Sequence, residues 1–221
     1  MLLAGIIGHD GRTQIASLIS SILSSRGIKV SIIDSSNLAE LDYQRIRSYL
    51  RELEKNSTEV LIMKTDIWDV NKDFFNNLHF DIMIYTNKAE NLNEINMARR
   101  EQMMRKIFSL LDEKGIAIVN IDDCDINEFL QGMSNYIVTY GFNPKASITA
   151  SSIGDTVSKE GFICCQQKVI SAKNGMLIEP QEYRIDMKAG EFDVNSVLAA
   201  VTFAIVNGVD LNTRRCEEVK S

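Results

Sequence analysis

Short apolar runs alternate with longer amphipathic segments over the first 140 residues of the chain. A run that is apolar on both faces is typical of a strand inside a parallel sheet, because helices cover both sides of such a sheet. We predict six strands of this kind, at residues 2–7, 30–33, 60–63, 81–85, 116–121 and 136–140.

The segments between these strands carry apolar residues at helical spacing. Gly27 and Gly208 lie within a few residues of the ends of two of these patterns, and glycine just past a helix is typical of a helix end. We predict helices at residues 15–23, 41–53, 93–112, 125–131 and 194–206. Strands that alternate with helices in this way predict an α/β fold, with a mostly parallel sheet flanked by crossover helices.

The pattern changes over residues 146–188. Apolar and polar residues alternate at residues 162–170 and 183–187, and residues 173–175 have the composition of a turn. We therefore predict a small antiparallel sheet in the C-terminal half of the chain.

Composition narrows the classes of function. With 221 residues, 45% of them hydrophobic, the chain is long enough for one sizeable core. A net charge of -6 argues against a nucleic-acid partner, because acidic surfaces repel phosphate backbones. We expect no signal peptide, because the N-terminal apolar run has no basic residues before it and ends in glycine after a few residues. We also expect no membrane insertion, because no apolar stretch approaches the about 18 residues that span a bilayer.

The cysteines and histidines limit the location of the protein and the metal sites that it could carry. The four cysteines form no CxxC pair, so we expect free thiols and a reducing, cytoplasmic location. Only His9 and His79 are present, which excludes a metal site built from several histidines.

The strongest chemical signal is the glycine turn between the first strand and the first helix, at residues 8–13. Backbone N–H groups in such a turn, together with the helix N-terminus, form a cradle for phosphate, as in P-loop sheets. A working ATP loop also needs a lysine for the terminal phosphates and a Ser or Thr hydroxyl for Mg²⁺; here those positions hold Arg12 and Thr13. The alternative is a tight strand-to-helix turn without a ligand.

Six stretches, in order, resemble the Mur ligase and folylpolyglutamate synthase family. Residues 5–13 read GIIGHDGRT where the family has GxTGTNGKT, and residues 115–123 read GIAIVNIDD where it has GxAVxNxDD. The other four stretches are residues 85–87, 139–141, 190–200 and 205–210. The tripeptide-forming branch of the Mur ligases is the most similar.

The resemblance implies a central, ATP-binding domain of a three-domain ligase that makes an acyl-phosphate and then an amide. We expect residues 1–221 to form this single domain, with the N-terminal substrate domain and the C-terminal ligase domain absent. A protein partner would then supply the missing domains.

The chain departs from the family pattern where the family carries its chemistry. The family's loop lysine is Arg12 here, and its magnesium-binding glutamate aligns near Lys64. Its metal-binding histidine falls at Asn91, its carbamylated lysine at Met104, and its adenine-contacting asparagine at Asp193. An ammonium, an amide and a thioether in place of these groups imply a degraded Mg²⁺ site and lost catalysis.

The resemblance nevertheless implies a remaining nucleotide site, with ATP bound weakly or not at all and Thr13 as the expected Mg²⁺ ligand. No residue is predicted to be catalytic. The expected cofactor-binding residues are Gly8, His9, Asp10, Gly11, Arg12, Thr13, Asn87, Asp122 and Asp193.

Asp122 and Asp123 allow two interpretations. They are either a paired-carboxylate acid–base site or a strand-end turn that caps a helix, and we favour the turn. In the family that they resemble, these aspartates serve nucleotide contacts and the turn.

Three hypotheses follow for function. The leading one is a degenerate Mur-ligase-like domain, a pseudoenzyme that acts through a partner in or near peptidoglycan precursor synthesis. The second is an active ATP-dependent amide ligase or ATPase completed by another chain, in which Asp66 replaces the lost glutamate. The third is a structural or interaction module without a ligand.

Overall fold

The computed structural model of the chain describes residues 1–8, 10–38, 41–86, 97–123, 132–151, 162–185 and 193–212. Its strands, in chain order, are β1 (Leu2–Gly8), β2 (Val30–Asp34), β3 (Val60–Asp66), β4 (Phe80–Tyr85), β5 (Leu111–Asn120), β6 (Tyr136–Tyr140), β7 (Ile148–Ala150), β8 (Phe162–Gln166), β9 (Ile170–Ser171), β10 (Leu177–Ile178) and β11 (Glu182–Ile185). The helices are α1 (Arg12–Ser24), α2 (Tyr43–Lys55), α3 (Met97–Phe108) and α4 (Val194–Val206). Short 3-10 helices lie at Ser35–Leu38, Asp69–Asn71 and Asp73–Asn77.

Nine strands form one sheet in the order β11-β8-β7-β6-β5-β4-β1-β3-β2. The pairs from β2 across to β7 are parallel, whereas β8 pairs antiparallel with both β7 and β11. The strands β9 and β10 form a separate antiparallel pair. The predicted α/β class, with a mostly parallel sheet and a small antiparallel sheet in the C-terminal half, is confirmed.

The sheet separates two apolar layers. On one face, α1 and α4 pack against side chains such as Ile6 and Ile62. On the other, α2 and α3 pack against Ile7 and Met63. Neighbouring residues belong to different layers because successive side chains of a strand point to opposite faces of the sheet. The same alternation decides which side chains at the strand ends lie on the α1 side.

The helix α4 lies in the centre of the first layer. Every residue from Ser196 to Val206 is buried, so the helix is apolar all round, as a fully enclosed helix must be. It packs against α1 and the middle strands of the sheet. The predicted helix at residues 194–206 therefore agrees with the structure at both ends.

Several boundaries predicted from the sequence are wrong, among them the start of the fifth strand, which lies at Leu111 rather than at residue 116. The helix expected to continue to residue 112 ends at Phe108, because Leu111 already pairs with Phe80 at the start of β5. The strand expected over residues 162–170 is divided into β8 and β9, which belong to different sheets. Residues 93–96 of the longest predicted helix and the predicted helix at residues 125–131 lie outside the described part of the chain.

Two further expectations concern the cysteines and the membrane. Cys164 and Cys165, in β8, are both free thiols, whereas Cys124 and Cys216 lie outside the described residues. Across the described ranges, none of the helices combines the length and the apolar character that crossing a bilayer demands.

Candidate functional site

The loop between β1 and α1 is shaped by two glycines. Gly11 precedes the first residue of α1 and has a left-handed backbone, with φ of 72°, which glycine adopts without a steric cost. Gly8 lies against Thr86, so close that a Cβ at residue 8 would be 1.7 Å from the Thr86 Oγ1. The backbone N–H of Thr86 donates to the Ile7 carbonyl at 2.9 Å, which fixes β1 and β4 together at this point. Glycine is therefore required at residue 8 by this contact and is favoured at residue 11 by the backbone conformation.

A cavity of about 290 Å³ opens beside this loop. Its volume is at the lower end of the range of small-ligand sites, about 300–1,000 Å³. The residues that line it come from the glycine loop, the ends of β4 and β6, and the start of α4, and they include Asp10, Gly11, Thr86, Tyr140, Asp193 and Asn195.

The start of α4 supplies two kinds of polar group to the cavity. The Asp193 carboxylate accepts hydrogen bonds from the backbone N–H of Ser196 at 3.0 Å and from its hydroxyl at 3.2 Å, as a helix N-cap does. The Asn195 Oδ1 is buried and has no hydrogen-bond partner among the described residues. Because a buried unpaired acceptor costs free energy, this oxygen favours a ligand or water that donates to it.

A second cluster of polar side chains lies on the other side of the loop, at the ends of β2 and β3. Parallel pairing places Lys64 beside Asp34 and beside Ile6, and it places Asp66 beside Gly8. Lys64 and Asp66 share a strand face with Ile62, so both lie on the α1 side of the sheet.

Two ion pairs result from this placement. The guanidinium of Arg12 contacts the Asp66 Oδ2 at 3.1 Å, and the ammonium of Lys64 contacts the Asp34 Oδ2 at 3.5 Å. The Lys64 Nζ also donates to the Thr13 Oγ1 at 3.1 Å. All four charged side chains keep between 19% and 39% of their surface exposed, so each pair contributes only about 0.2–1 kcal/mol and can be exchanged for a ligand.

The carboxylate of Asp34 stays ionised in this cluster. Burial raises its pKa, but hydrogen bonds from Ser36 and the charge of Lys64 outweigh burial, and the net effect lowers the pKa. The two cations of the cluster are therefore balanced by two carboxylates when no ligand is bound.

Thr13, the predicted Mg²⁺ ligand, lies beside an ammonium in this structure. Mg²⁺ requires oxygen ligands in an octahedral arrangement, whereas the hydroxyl of Thr13 faces the ammonium of Lys64. Within the described ranges, no group of three or more His, Cys, Asp or Glu side chains is arranged to hold a metal ion.

Asp122 holds a turn together. Its two carboxylate oxygens accept hydrogen bonds from the backbone N–H groups of Phe142, at 2.7 Å, and Asn143, at 2.8 Å. A Cβ at Gly141, where φ is +143°, would lie 2.6 Å from the Asp122 Oδ2. These contacts support the turn interpretation of Asp122 over a paired acid–base site.

Tyr140 lies between this turn and the cavity. Burial raises the pKa of its phenol, and the negative charges of Asp193 and Asp122 raise it further. The phenol is therefore a neutral hydrogen-bonding group in the wall of the cavity.

The structure brings together most of the residues that the sequence singled out. Gly8, Asp10, Gly11, Arg12 and Thr13 form the loop, and Asp193 faces it across the cavity. Asp122 lies near the far wall, close enough to influence Tyr140. His9, Asn87 and Asn91 lie outside the described residues, so their predicted roles stay predictions.

Met104 is separate from this site. It is 3% exposed and packs in the layer that α3 covers, on the opposite face of the sheet from α1. Its neighbour Met103 is also buried, so both methionines belong to the core of this layer.

The sequence analysis gave no site role to four residues, namely Asp34, Thr86, Tyr140 and Asn195, although the last three lie in stretches that resemble the family. All but Asn195 lie at or just beyond the carboxyl ends of strands. Because ligands of α/β proteins bind at that edge of the sheet, strand ends beside the glycine loop were the signal that could have identified Asp34, Thr86 and Tyr140.

The sequence profile of a family described as "Mur ligase middle domain" matches residues 6–204 of the chain. A UDP-N-acetylmuramoyl-L-alanyl-D-glutamate–2,6-diaminopimelate ligase from Bacillus cereus is 22% identical over 232 residues, an alignment that covers 96% of this chain and 45% of the relative. The chain thus spans about half the length of the curated relative that it matches.

Solved structures show the same fold. The structure of a ligase with that same name has a TM-score of 0.73 at 16% identity, covering 96% of this chain and 44% of the other. A bifunctional folylpolyglutamate synthase/dihydrofolate synthase with Mn, AMPPNP and L-glutamate bound has a TM-score of 0.60 at 10% identity, covering 95% of this chain and 54% of the other. With the family profile extending over most of its length, this chain belongs to the Mur ligase middle-domain family.

Proposed function

We propose that this domain binds the phosphate groups of a nucleotide at the β1–α1 loop and does not complete amide ligation by itself. The observation that carries the proposal is the cavity between this loop and α4, where the buried Asn195 Oδ1 has no partner among the described residues. A nucleotide supplies phosphate oxygens for the loop N–H groups and donor groups for such an oxygen.

The comparisons support the class of ligand. A relative of the same fold is solved with AMPPNP and Mn, so the scaffold is able to hold an adenine nucleotide in that protein. In the present chain, the loop retains Gly8 and Gly11, small residues that let a backbone approach a phosphate closely.

The cluster around Lys64 is the reason to propose loss of catalysis. Phosphoryl transfer depends on positioning and on neutralising charge in the transition state, which the metal and the loop lysine do in P-loop enzymes. In this chain the loop carries Arg12, paired with Asp66, in place of its own lysine, and Thr13 faces the ammonium of Lys64 rather than an oxygen ligand. Losses of this kind cost several kcal/mol of transition-state stabilisation, roughly 3–4 for a single well-placed donor.

Action together with further ligase domains completes the proposal. The Bacillus cereus relative is more than twice as long as the matched segment, and its name describes joining 2,6-diaminopimelate to a UDP-N-acetylmuramoyl dipeptide. We infer that further ligase domains, in the same protein or in a partner, supply the remaining ligase functions, in or near the synthesis of peptidoglycan precursors.

One observation favours a second candidate, an active ATP-dependent ligase or ATPase. Asp66 lies two residues beyond Lys64 on the same strand face, beside Gly8, so its carboxylate is within reach of the loop. It contacts Arg12 in this structure and would have to exchange that guanidinium for a metal. A structural module without a ligand is the third candidate.

Calorimetric titration with ATP tests nucleotide binding, with Arg12→Ala as the test variant. Arg45→Ala is the matched control, because Arg45 is an exposed residue of α2. We expect heat of binding for the wild type and the control, and about tenfold weaker binding or none for Arg12→Ala. The absence of heat and of a thermal shift at millimolar ATP would leave only the structural module.

A phosphate-release assay separates the first two candidates. We expect no sustained release of phosphate from ATP by the wild type. Turnover that Thr13→Ala abolishes would contradict the proposed loss of catalysis and support the second candidate.

A further inference from the structure

The position of Lys64 leads to an inference about the form in which a nucleotide binds, and it rests on the proposed nucleotide binding. We propose that the ammonium of Lys64 takes the place of the divalent cation, so that the domain binds metal-free polyphosphate, such as ATP⁴⁻, rather than its magnesium complex.

Geometry places this ammonium where a loop threonine would otherwise meet a metal. Thr13 is in the first turn of α1, directly after the glycine loop, and its hydroxyl accepts a hydrogen bond from the Lys64 Nζ at 3.1 Å. The Asp34 carboxylate holds the same ammonium from the edge strand β2, at 3.5 Å. Backbone pairing of Lys64 with both Ile6 and Asp34 fixes this arrangement, because β3 lies between β1 and β2.

Charge then decides which cation the site accepts. A divalent ion at Thr13 would lie within a few ångströms of the Lys64 ammonium, and like charges at that distance repel strongly in a partly buried site. The ion would also lack a carboxylate in the position that Lys64 occupies. An ammonium, by contrast, is a compact charge that binds phosphate oxygens directly.

The ammonium also has a donor available for a ligand. It carries three N–H groups, of which two are directed at Thr13 and Asp34 among the described residues. A phosphate oxygen above the loop would accept from the third. The side chain keeps 19% of its surface exposed, so a ligand reaches it without unfolding the strand end.

The consequence is that magnesium should not strengthen the binding of ATP to this domain. In a site that coordinates the metal, Mg²⁺ strengthens nucleotide binding. Here Mg²⁺ withdraws ATP into a complex whose charge is smaller and whose metal meets Lys64, so magnesium weakens binding or leaves it unchanged.

Calorimetric titration of the full chain with ATP, in EDTA and then in excess MgCl₂, tests the inference. We expect the dissociation constant in EDTA to be equal to or lower than that in MgCl₂. Binding that is about tenfold or more tighter in MgCl₂ would overturn the inference and leave the proposed nucleotide binding intact. If ATP binds under neither condition, the proposed function fails and the inference fails with it.

Two substitutions at Lys64 sharpen the test. Lys64→Met should weaken ATP binding in EDTA by about tenfold, with no recovery in MgCl₂. Lys64→Glu places an oxygen ligand beside Thr13, so it should lose binding in EDTA and regain it in MgCl₂. Unchanged binding in EDTA by both variants would contradict the role of the ammonium.

Lys29→Met is the matched control for these substitutions. Lys29 directly precedes β2, at the opposite end of the sheet from Asp34, and it donates to the backbone carbonyl of Asn56. Removing this ammonium changes the net charge as Lys64→Met does, and it should leave ATP binding in EDTA within about twofold of the wild type. Circular dichroism of all variants checks that each one is folded.

Discussion

At the residue scale, Gly8 shows how closely the loop is packed against the neighbouring strand end. We expect Gly8→Ala to lower the free energy of unfolding by about 1–3 kcal/mol, because the added Cβ would lie 1.7 Å from the Thr86 Oγ1. Urea denaturation measures the effect. Gly132→Ala is the matched control, because a Cβ at that exposed glycine meets no atom within 4 Å. Equal stability of the two variants would show that the loop readily moves away from Thr86.

Single residues differed in how well the sequence predicted them. Gly8, Gly11, Arg12 and Thr13 are identifiable because adjacent residues form the loop. The contact of Lys64 with Thr13 depends instead on parallel register between strands that are more than 50 residues apart in the chain, and no local pattern encodes that register. The family resemblance directed attention to Lys64, and the structure supplied its partners.

At the scale of elements, α4 is the helix on which the first apolar layer is built. We expect Phe203→Ala to destabilise the protein by about 3–5 kcal/mol, because this side chain is fully buried and its removal leaves a cavity. Thermal and urea unfolding measure the loss. Phe142→Ala removes the same atoms at a position that is 56% exposed, and we expect it to change stability by less than about 1 kcal/mol. Similar losses in both variants would contradict the central role of α4.

The elements were predictable where length and composition agreed. The apolar segment of α4 is too long for a strand and is followed by Gly208, so both of its ends could be placed. The end of α3 could not be placed, because Leu110 and Leu111 continue the helical spacing although the chain has already left the helix. Leu110 is buried in the turn after α3 and Leu111 at the start of β5. The spacing of apolar residues does not distinguish this arrangement from a longer helix that buries the same two side chains.

At the scale of the whole molecule, stability should depend on pH in the alkaline range. Burial raises the pKa of Tyr183 to about 12, and its hydroxyl donates to the Gln166 Oε1 at 2.8 Å. An unfolded chain ionises its tyrosines near pH 10, so the contribution of Tyr183 is complete below about pH 10 and is lost as the pH rises towards 12. Over that window this residue alone should lower the free energy of unfolding by up to about 1.4 kcal/mol per pH unit.

Urea denaturation between pH 9 and about pH 12 measures this slope. We expect Tyr183→Phe to reduce it, although the lost hydrogen bond also lowers stability at neutral pH by about 1 kcal/mol. Tyr43→Phe, at an exposed position of α2, is the matched control for the loss of one hydroxyl. An identical slope for the wild type and Tyr183→Phe would contradict the predicted contribution.

The architecture of the whole molecule was predictable in its class and less so in its connections. Alternating strands and helices predicted the parallel sheet, and the change of pattern after residue 146 predicted antiparallel strands. The sequence did not predict that β8 and β11 extend the edge of the same nine-stranded sheet. This extension depends on the pairing of β7 with β8, and the residues between these two strands show no clear pattern of apolar and polar positions. Long-range strand pairing is the part of the fold that sequence periodicity does not contain.

The chain's single tryptophan lies two residues beyond Asp66, the ion-paired last residue of β3. Trp68 is 41% exposed, and its backbone N–H donates to the Asp66 Oδ1, on the same carboxylate that contacts Arg12. If a bound anion displaces Arg12 from Asp66, the hydrogen bond between Asp66 and the backbone of Trp68 is altered as well. We therefore expect the tryptophan fluorescence of the protein to change when an anion occupies the loop.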